Sequence, residues 1–353
     1  MEVVCGMQVM ISFFNNIIPT RFKSRQPDKP LSIGFLFPGD AVAHIPVHDR
    51  DGWLFAAEEL GYSHASYFPE ILKLSVRDLV RMVNKGKHDV VIVNGGDHHQ
   101  DALHATEEAR SAWRKLKAKT VCVCTEAILQ SGFPRSIEKT QSALETFDYF
   151  AYTDDLSESL FHQSGKPSLW MPQYVDKSFI LETVVPREKI KKAYFRGKIM
   201  NWGFEGVYTQ RRILFEGLKD HPDIVMEEGY KPHLTGRELL DRKVSYAFYL
   251  QLPSNHPGFV LSFLEAAALG LPTFHHELHP DSKQMARMFT PGVHFLPYRT
   301  DDIEDLKVQV QNAVKEVDSP EFKKMGSAVR ELILSQHTVT HRLKALVDLA
   351  NRA

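Results

Sequence analysis

Proton-transfer chemistry needs groups such as histidine and carboxylate held near a reacting oxygen, and "FPGDAVAHIPVHDRDGW", residues 37–53, supplies several at once. Asp40, His44, His48 and Asp49 are its candidates for a general base or for contacts to a hydroxyl substrate. A second acid–imidazole group, Asp97, His98 and His99, stands in "NGGDHHQ", and Glu126 follows a third apolar run. With 17 histidines in 353 residues, no single imidazole is diagnostic, and the plainer reading of each is surface or core. The H-x3-H and D-H-H spacings invite a metal, but no second ligand pair has dependable spacing, so no metal is expected. Glu265 is a different case: it is the one carboxylate in "GFVLSFLEAAALGLPTF", residues 258–274. Ser262 and Glu265 fit a capping box, in which each side chain serves an orphan amide of a helix's first turn. Gly270 suits the left-handed position after a helix, and Pro272 prevents continuation.

The elements that must carry these groups follow from the apolar pattern. "LSIGFLF", "HDVVIVN", "TVCVCTE", "YFAYTDD" and "SLWMPQYVD" read as strands, and "DGWLFAAEELGY", "SVRDLVRMVNKGK" and "ATEEARSAWRKLKAK" as helices between them. The alternation restarts near residue 191 with strands "KKAYFRGKI", "DIVMEEGY", "VSYAFYLQL", "LPTFHHE" and "VHFLPY". Helices "YTQRRILFEGLKDHP", "TGRELLDRK" and "DIEDLKVQVQNAVKEV" lie among them, and a helical region closes the chain over 319–351. Strands that are apolar throughout, alternating with helices, imply parallel sheets covered on both faces. The fold class is therefore α/β, with two doubly wound Rossmann-like domains and ligands bound in the cleft at their facing strand ends. The expected division is an N-terminal extension over 1–29, a first domain over 30–185, a second over 186–335, and a C-terminal helix over 336–353 that crosses back to the first. A hydrophobic fraction of 43% and a charged fraction of 25% exclude disorder as the default. A net charge of -1 argues against a partner held by overall electrostatics. Cys5, Cys122 and Cys124 look like reduced thiols, which fits the cytoplasm, and "MQVMISFFNNII" is too short to span a membrane.

The order and spacing of these segments resemble the GT-B glycosyltransferases, in particular the group 1 and CgeB-like branch. "PGFVLSFLEAAALGLPTF" is similar to that family's donor motif E-G-F-G-L-x-x-L-E-A-M-A-x-G-T-P-V. "FDYFAYTDDLSESLFHQSGKPSLWMPQYVD" resembles the passage that ends the family's first domain in an N/Y-V-D turn. "HTVTHRLKALVDL" resembles its closing helix with the pattern H-T-x-x-x-R. The resemblance implies a nucleotide-diphosphate sugar as donor substrate, no cofactor, and a retaining, metal-independent transfer to a hydroxyl. It places Glu265 on the donor ribose, whose vicinal hydroxyls a carboxylate accepts well. It places Gly258, Phe259, Val260 and Leu261 in the phosphate-facing loop before a helix N-terminus. Arg196, Lys198 and Arg212, with Arg211 beside them, become candidates for neutralising the diphosphate. The loop holding His44, His48 and Asp49 becomes the acceptor side. The sequence departs from the family at the first glutamate of the donor motif, where it has Pro257. His256 is the candidate substitute, and lost catalysis is the alternative.

Other readings share the scaffold. A sugar-nucleotide 2-epimerase would use Glu265 without an acceptor cleft. A phage-type DNA-base glycosyltransferase would need a basic face such as Arg110, Arg114, Lys115, Lys117 and Lys119. A non-catalytic binding module would tolerate Pro257. The acceptor is accordingly left open among a glycan, a small molecule and a DNA base, and fold alone does not choose.

Overall fold

The computed structural model describes residues 30–37, 48–68, 73–94, 103–125, 136–199, 205–229, 234, 236–254 and 258–352. The N-terminal extension lies outside them. The first apolar runs form strands β1 (Ser32–Leu36), β2 (Ser63–Tyr67), β3 (Val90–Asn94), β4 (Lys119–Cys124), β5 (Tyr149–Tyr152) and β6 (Ser168–Trp170). They make one parallel sheet in the order β2-β1-β3-β4-β5-β6. Between them run α1 (His48–Glu59), α2 (Val76–Gly86), α3 (Glu107–Trp113), α4 (Ser136–Thr146) and α5 (Glu158–Gln163). Polar caps set the helix starts: Ser75 accepts from the Asp78 amide before α2, and Thr106 from the Ala109 amide before α3.

After α6 (Lys177–Glu182), the second set comprises β7 (Ile190–Gly197), β8 (Ile224–Glu228), β9 (Tyr246–Gln251), β10 (Thr273–His276) and β11 (Leu296–Tyr298). They form a second parallel sheet in the order β11-β10-β9-β7-β8. Helices α7 (Glu205–Leu218), α8 (Gly236–Val244), α9 (Leu261–Ala268), α10 (Ile303–Lys315), α11 (Pro320–Gln336) and α12 (Val339–Asn351) accompany it. Each sheet has a buried cluster on either face, as parallel strands require. Gly270 has φ of +73°, as its place after α9 predicts.

Four differences from the sequence pattern have physical causes. The basic helix stops at Trp113, whose indole donates to the Leu103 carbonyl at 2.7 Å. Beyond it Asn84 holds the Lys115 carbonyl and the Lys117 amide, each at 3.0 Å, so the chain is pinned against the end of α2 and does not coil on. Strand β2, "SHASY", carries no apolar run because it is an edge strand with one fully buried residue, Tyr67. Helix α4 buries only Thr140, Ala143 and Leu144 from a polar sequence, which blurs its stripe. The C-terminal helical region is broken at His337 and Thr338, and α12 leaves the second sheet.

That break is tightly held. Val175 pairs with Thr338 in a parallel bridge, its amide donating to the His337 carbonyl and its carbonyl accepting from the Val339 amide, each at 3.0 Å. Arg342 is buried and donates to the carbonyls of Pro172 at 2.9 Å, Gln336 at 3.1 Å and Gln173 at 3.2 Å, and to His337 Nδ1 at 2.7 Å. Val339, Leu343, Leu346, Val347 and Ala350 then pack with Trp53, Ala56 and Ala57 of α1 on the first sheet. The Y-V-D turn and the H-T-x-x-x-R pattern are thus two sides of one joint.

Candidate active site

In each sheet the chain reverses its direction of winding once, and ligand crevices lie at the carboxyl ends of the strands on either side of that reversal. In the second sheet the reversal is between β7 and β9. Arg211 of α7, 6% exposed, spans it: Nη1 donates to the Lys198 carbonyl after β7 at 2.9 Å, and Nε and Nη2 reach the Pro253 and Leu252 carbonyls after β9. The Tyr208 ring stacks on the same guanidinium at 4.8 Å. Arg211 therefore staples the two loops that border the crevice.

The chain re-enters this edge at Gly258. A Cβ there would lie 1.8 Å from Met285 Sδ, so a larger residue would have to displace that buried thioether. Phe259 is 2% exposed and packs on Phe289 at 4.3 Å, His275 at 4.8 Å and Phe263 at 4.9 Å between ring centroids. Val260 is the N-cap of α9 and provides no side-chain cap. The Ser262–Glu265 capping box is not the cap, because α9 starts at Leu261, two residues before a helix capped by Ser262 would begin. Ser262 Oγ instead donates to Gln251 Oε1 at 2.8 Å. Glu265 turns inward and pairs with Lys243 of α8, and their side chains are 8% and 1% exposed. Lys243 Nζ also lies over the Tyr249 ring at 5.3 Å.

The two sheets meet at their carboxyl edges. Asp155, just beyond β5, accepts from the amides of Gln284 at 2.9 Å and Met285 at 3.2 Å in the loop beyond β10. Gln284 Nε2 donates back to Glu158 Oε1 at 2.9 Å.

Comparison with known proteins agrees with this geometry. Residues 206–348 match the family model described as Glycosyl transferase-like. A glycosyltransferase from Rickettsia africae is similar over 92% of this chain and 100% of its own, with a TM-score of 0.59 at 10% identity. An α-glucosyltransferase in complex with UDP and a 13-mer DNA covers the same shares with a TM-score of 0.62 at 12% identity. The Anabaena protein Alr3699/HepE, in complex with UDP and glucose, matches with a TM-score of 0.54 at 11% identity over 90% of this chain and 99% of its own. No curated protein sequence matches the chain. The protein has the GT-B glycosyltransferase fold. The match to the glycosyl transferase-like model lies within the second half of the chain.

Within the GT-B frame, the residues expected to bind the donor differ in exposure and in partners. Arg196 has a side chain 7% exposed and donates to Glu227 Oε2 at 2.7 Å. Glu227 also accepts from the Tyr194 hydroxyl at 2.7 Å and from Arg242 at 2.6 Å. Partial burial works to raise the Glu227 pKa, and the hydrogen bonds from Arg242, Tyr194 and Arg196 outweigh it and hold the carboxyl below its usual range. Lys198 and Arg212 are exposed. His48 and Asp49 open α1, so the acceptor-side loop ends two residues earlier than expected, while His44 and His256 lie outside the described residues. Asp40, Asp97, His98, His99 and Glu126 lie outside them too, and so does Pro257. The strands leading into the first two of those segments, β1 and β3, are neighbours at the first sheet's own reversal.

The basic stretch offered as a DNA face is largely committed to other contacts. Arg110 and Arg114 pair with Glu107, and Lys119 donates to the Ala350 carbonyl at 2.7 Å. Among the described residues no group of three histidines, cysteines or acids could hold a metal, and no helix is long and apolar enough to cross a membrane. Cys122 and Cys124 are buried thiols.

Sequence reasoning missed Lys243, the stapling role of Arg211, and Asp155. A signal existed for Lys243: with Leu240 and Val244 it shares the buried stripe of α8, where a lysine demands a partner. Arg211 and Asp155 make long-range contacts to backbone atoms, which no local spacing reports.

Proposed function

We propose that the protein transfers a sugar from a nucleotide-diphosphate sugar to a hydroxyl acceptor with retention and without a metal, as a CgeB-like member of the GT-B enzymes. The observation that carries this reading is the family match over 206–348, because it contains both Arg211 at the crevice and the loop and helix that hold Glu265. Residues 186–335 are the donor domain, 30–185 the acceptor domain, and 336–353 the segment that returns to it. Glu265 accepts from the donor ribose hydroxyls, with Lys243 balancing its charge from behind. The amides around Gly258 to Leu261 face the diphosphate at the start of α9, aided by Lys198, Arg212 and, from its Glu227 network, Arg196. The acceptor enters beside the segment that holds His44, His48 and Asp49, with His256 on the sugar. In the transfer, the anomeric carbon loses its bond to the diphosphate oxygen and gains one to the acceptor oxygen, whose proton passes to the departing phosphate. The donor is bound in the cytoplasm, where buried thiols such as Cys122 and Cys124 stay reduced.

The UDP held by several similar structures makes a uridine nucleotide the first donor to try. A thermal-shift screen against UDP-, GDP-, ADP- and dTDP-sugars tests the reading, since a bound ligand raises the melting temperature by mass action. A shift with one base is the expected result, and no shift with any of the four would favour a non-catalytic module. Labelling of DNA in a cell extract would place the acceptor among nucleic acids, and release of a 2-epimerised sugar would make the protein an epimerase.

A further inference from the structure

The segment Gln284–Phe289 lies between the first sheet's edge and the donor loop. On one side its amides at Gln284 and Met285 are bound by Asp155 Oδ2, a carboxylate 8% exposed at the start of a single 3-10 turn, Asp155–Ser157. The side chain of Gln284 fastens the same side to Glu158, which also accepts from the Tyr152 hydroxyl at 3.3 Å. On the other side Met285 Sδ fills the space a Gly258 side chain would need, and Phe289 packs on Phe259. The chain of contacts is therefore Asp155, Met285, Gly258, with a parallel branch through Phe289 and Phe259. It ends at the N-terminus of α9, the helix that carries Glu265.

A charged acceptor shared by two amides fixes a loop more firmly than neutral hydrogen bonds do. Close-packed contacts pass a displacement on, and the buried Met285 thioether sits where a Gly258 Cβ would lie. We infer that Asp155 is a positioning residue for the donor loop: from the opposite sheet, it sets the register of Gly258 to Leu261 and thereby the affinity for the nucleotide. The inference rests on the donor reading of that loop. It adds that donor binding depends on a carboxylate outside the donor domain, about 100 residues before the loop in sequence.

The test uses the full chain and compares Asp155→Ala with Asp155→Asn. Hydrogen exchange is followed without ligand at 258–265 and 284–289, and UDP affinity, donor KM and kcat are measured alongside melting temperature. Asp155→Ala should speed exchange in both segments and weaken UDP roughly 2- to 30-fold, the span of effects carried through packed networks. Asp155→Asn keeps an oxygen that can accept from both amides and should recover most of the affinity. Faster exchange confined to 284–289, or a lowered melting temperature with UDP affinity and KM unchanged, would overturn the inference and leave Asp155 a stability residue. If the wild type binds no nucleotide, the donor reading fails by itself, and the exchange pattern still decides whether the contacts are coupled. Should Asp155→Ala not fold, Met285→Ala breaks the same chain at its middle link and is read in the same way.

Discussion

Lys243 and Glu265 are both withdrawn from water, so each depends on the other. Removing one partner of a buried pair strands the remaining charge, which typically costs about 3–5 kcal/mol, whereas replacing both by apolar groups is often neutral. Lys243→Met should therefore destabilise strongly in denaturant unfolding, and Lys243→Met with Glu265→Leu should recover much of the loss. Equal destabilisation in the single and double variants would show that the pair is not the cause. A separate experiment isolates the donor role of Glu265. The wild type should prefer a ribonucleoside diphosphate to its 2′-deoxy form, and Glu265→Gln should weaken the ribo form by about 1–3 kcal/mol and narrow the preference. A preference that survives Glu265→Gln would assign the ribose contact elsewhere. The carboxylate was conspicuous in the sequence because it interrupts an apolar run. Its partner was not, since a lysine in "DRKV" looks like any surface lysine until the helix stripe is drawn through it.

At the scale of elements, α11 crosses the end of α9 at Gly326. Alanine would improve helix propensity there by about 1 kcal/mol. Its Cβ, however, would stand 2.3 Å from the Gly270 carbonyl oxygen, which is backbone and cannot swing away. Steric cost wins, and Gly326→Ala should lower stability by about 1–3 kcal/mol in chemical denaturation; a stabilised variant would refute the close approach. The joint between α11 and α12 yields a pH prediction. Burial, with the Arg342 charge beside it, lowers the His337 pKa from 6.5 to about 3, so the folded protein holds the ring neutral while the unfolded chain protonates it near 6.5. The unfolded state then binds more protons, and the stability contributed by this group is complete above pH 6.5 and is lost progressively from there down to about pH 3. His337→Gln, whose amide oxygen can still accept from Arg342, should flatten the melting-temperature profile over that window. An unchanged slope would remove His337 as its source.

For the whole molecule, two parallel sheets were legible because their inner strands, such as "DVVIVN" and "YAFYLQL", are apolar along their full length and so announce burial on both faces. Edge strand β2 and helix α4 were not, since each buries too little to leave a pattern. The Y-V-D and H-T-x-x-x-R segments were readable only as likenesses, and their shared purpose emerged when Val175 and Arg342 were found in one joint. The candidate site was legible in part for the same reason: Glu265 and Gly258 stand in one recognisable stretch, whereas Arg211 and Asp155 bind carbonyls and amides 13 to 130 residues away. The proposal that concerns the molecule as a whole is sugar transfer from a nucleotide donor. The direct measurement is release of nucleoside diphosphate from a panel of nucleotide sugars, with a cell extract as acceptor source and a chelator present throughout. One donor should be turned over by the wild type with the chelator present, and more slowly by Glu265→Gln. A protein that binds a nucleotide sugar yet releases no diphosphate and labels nothing would contradict it.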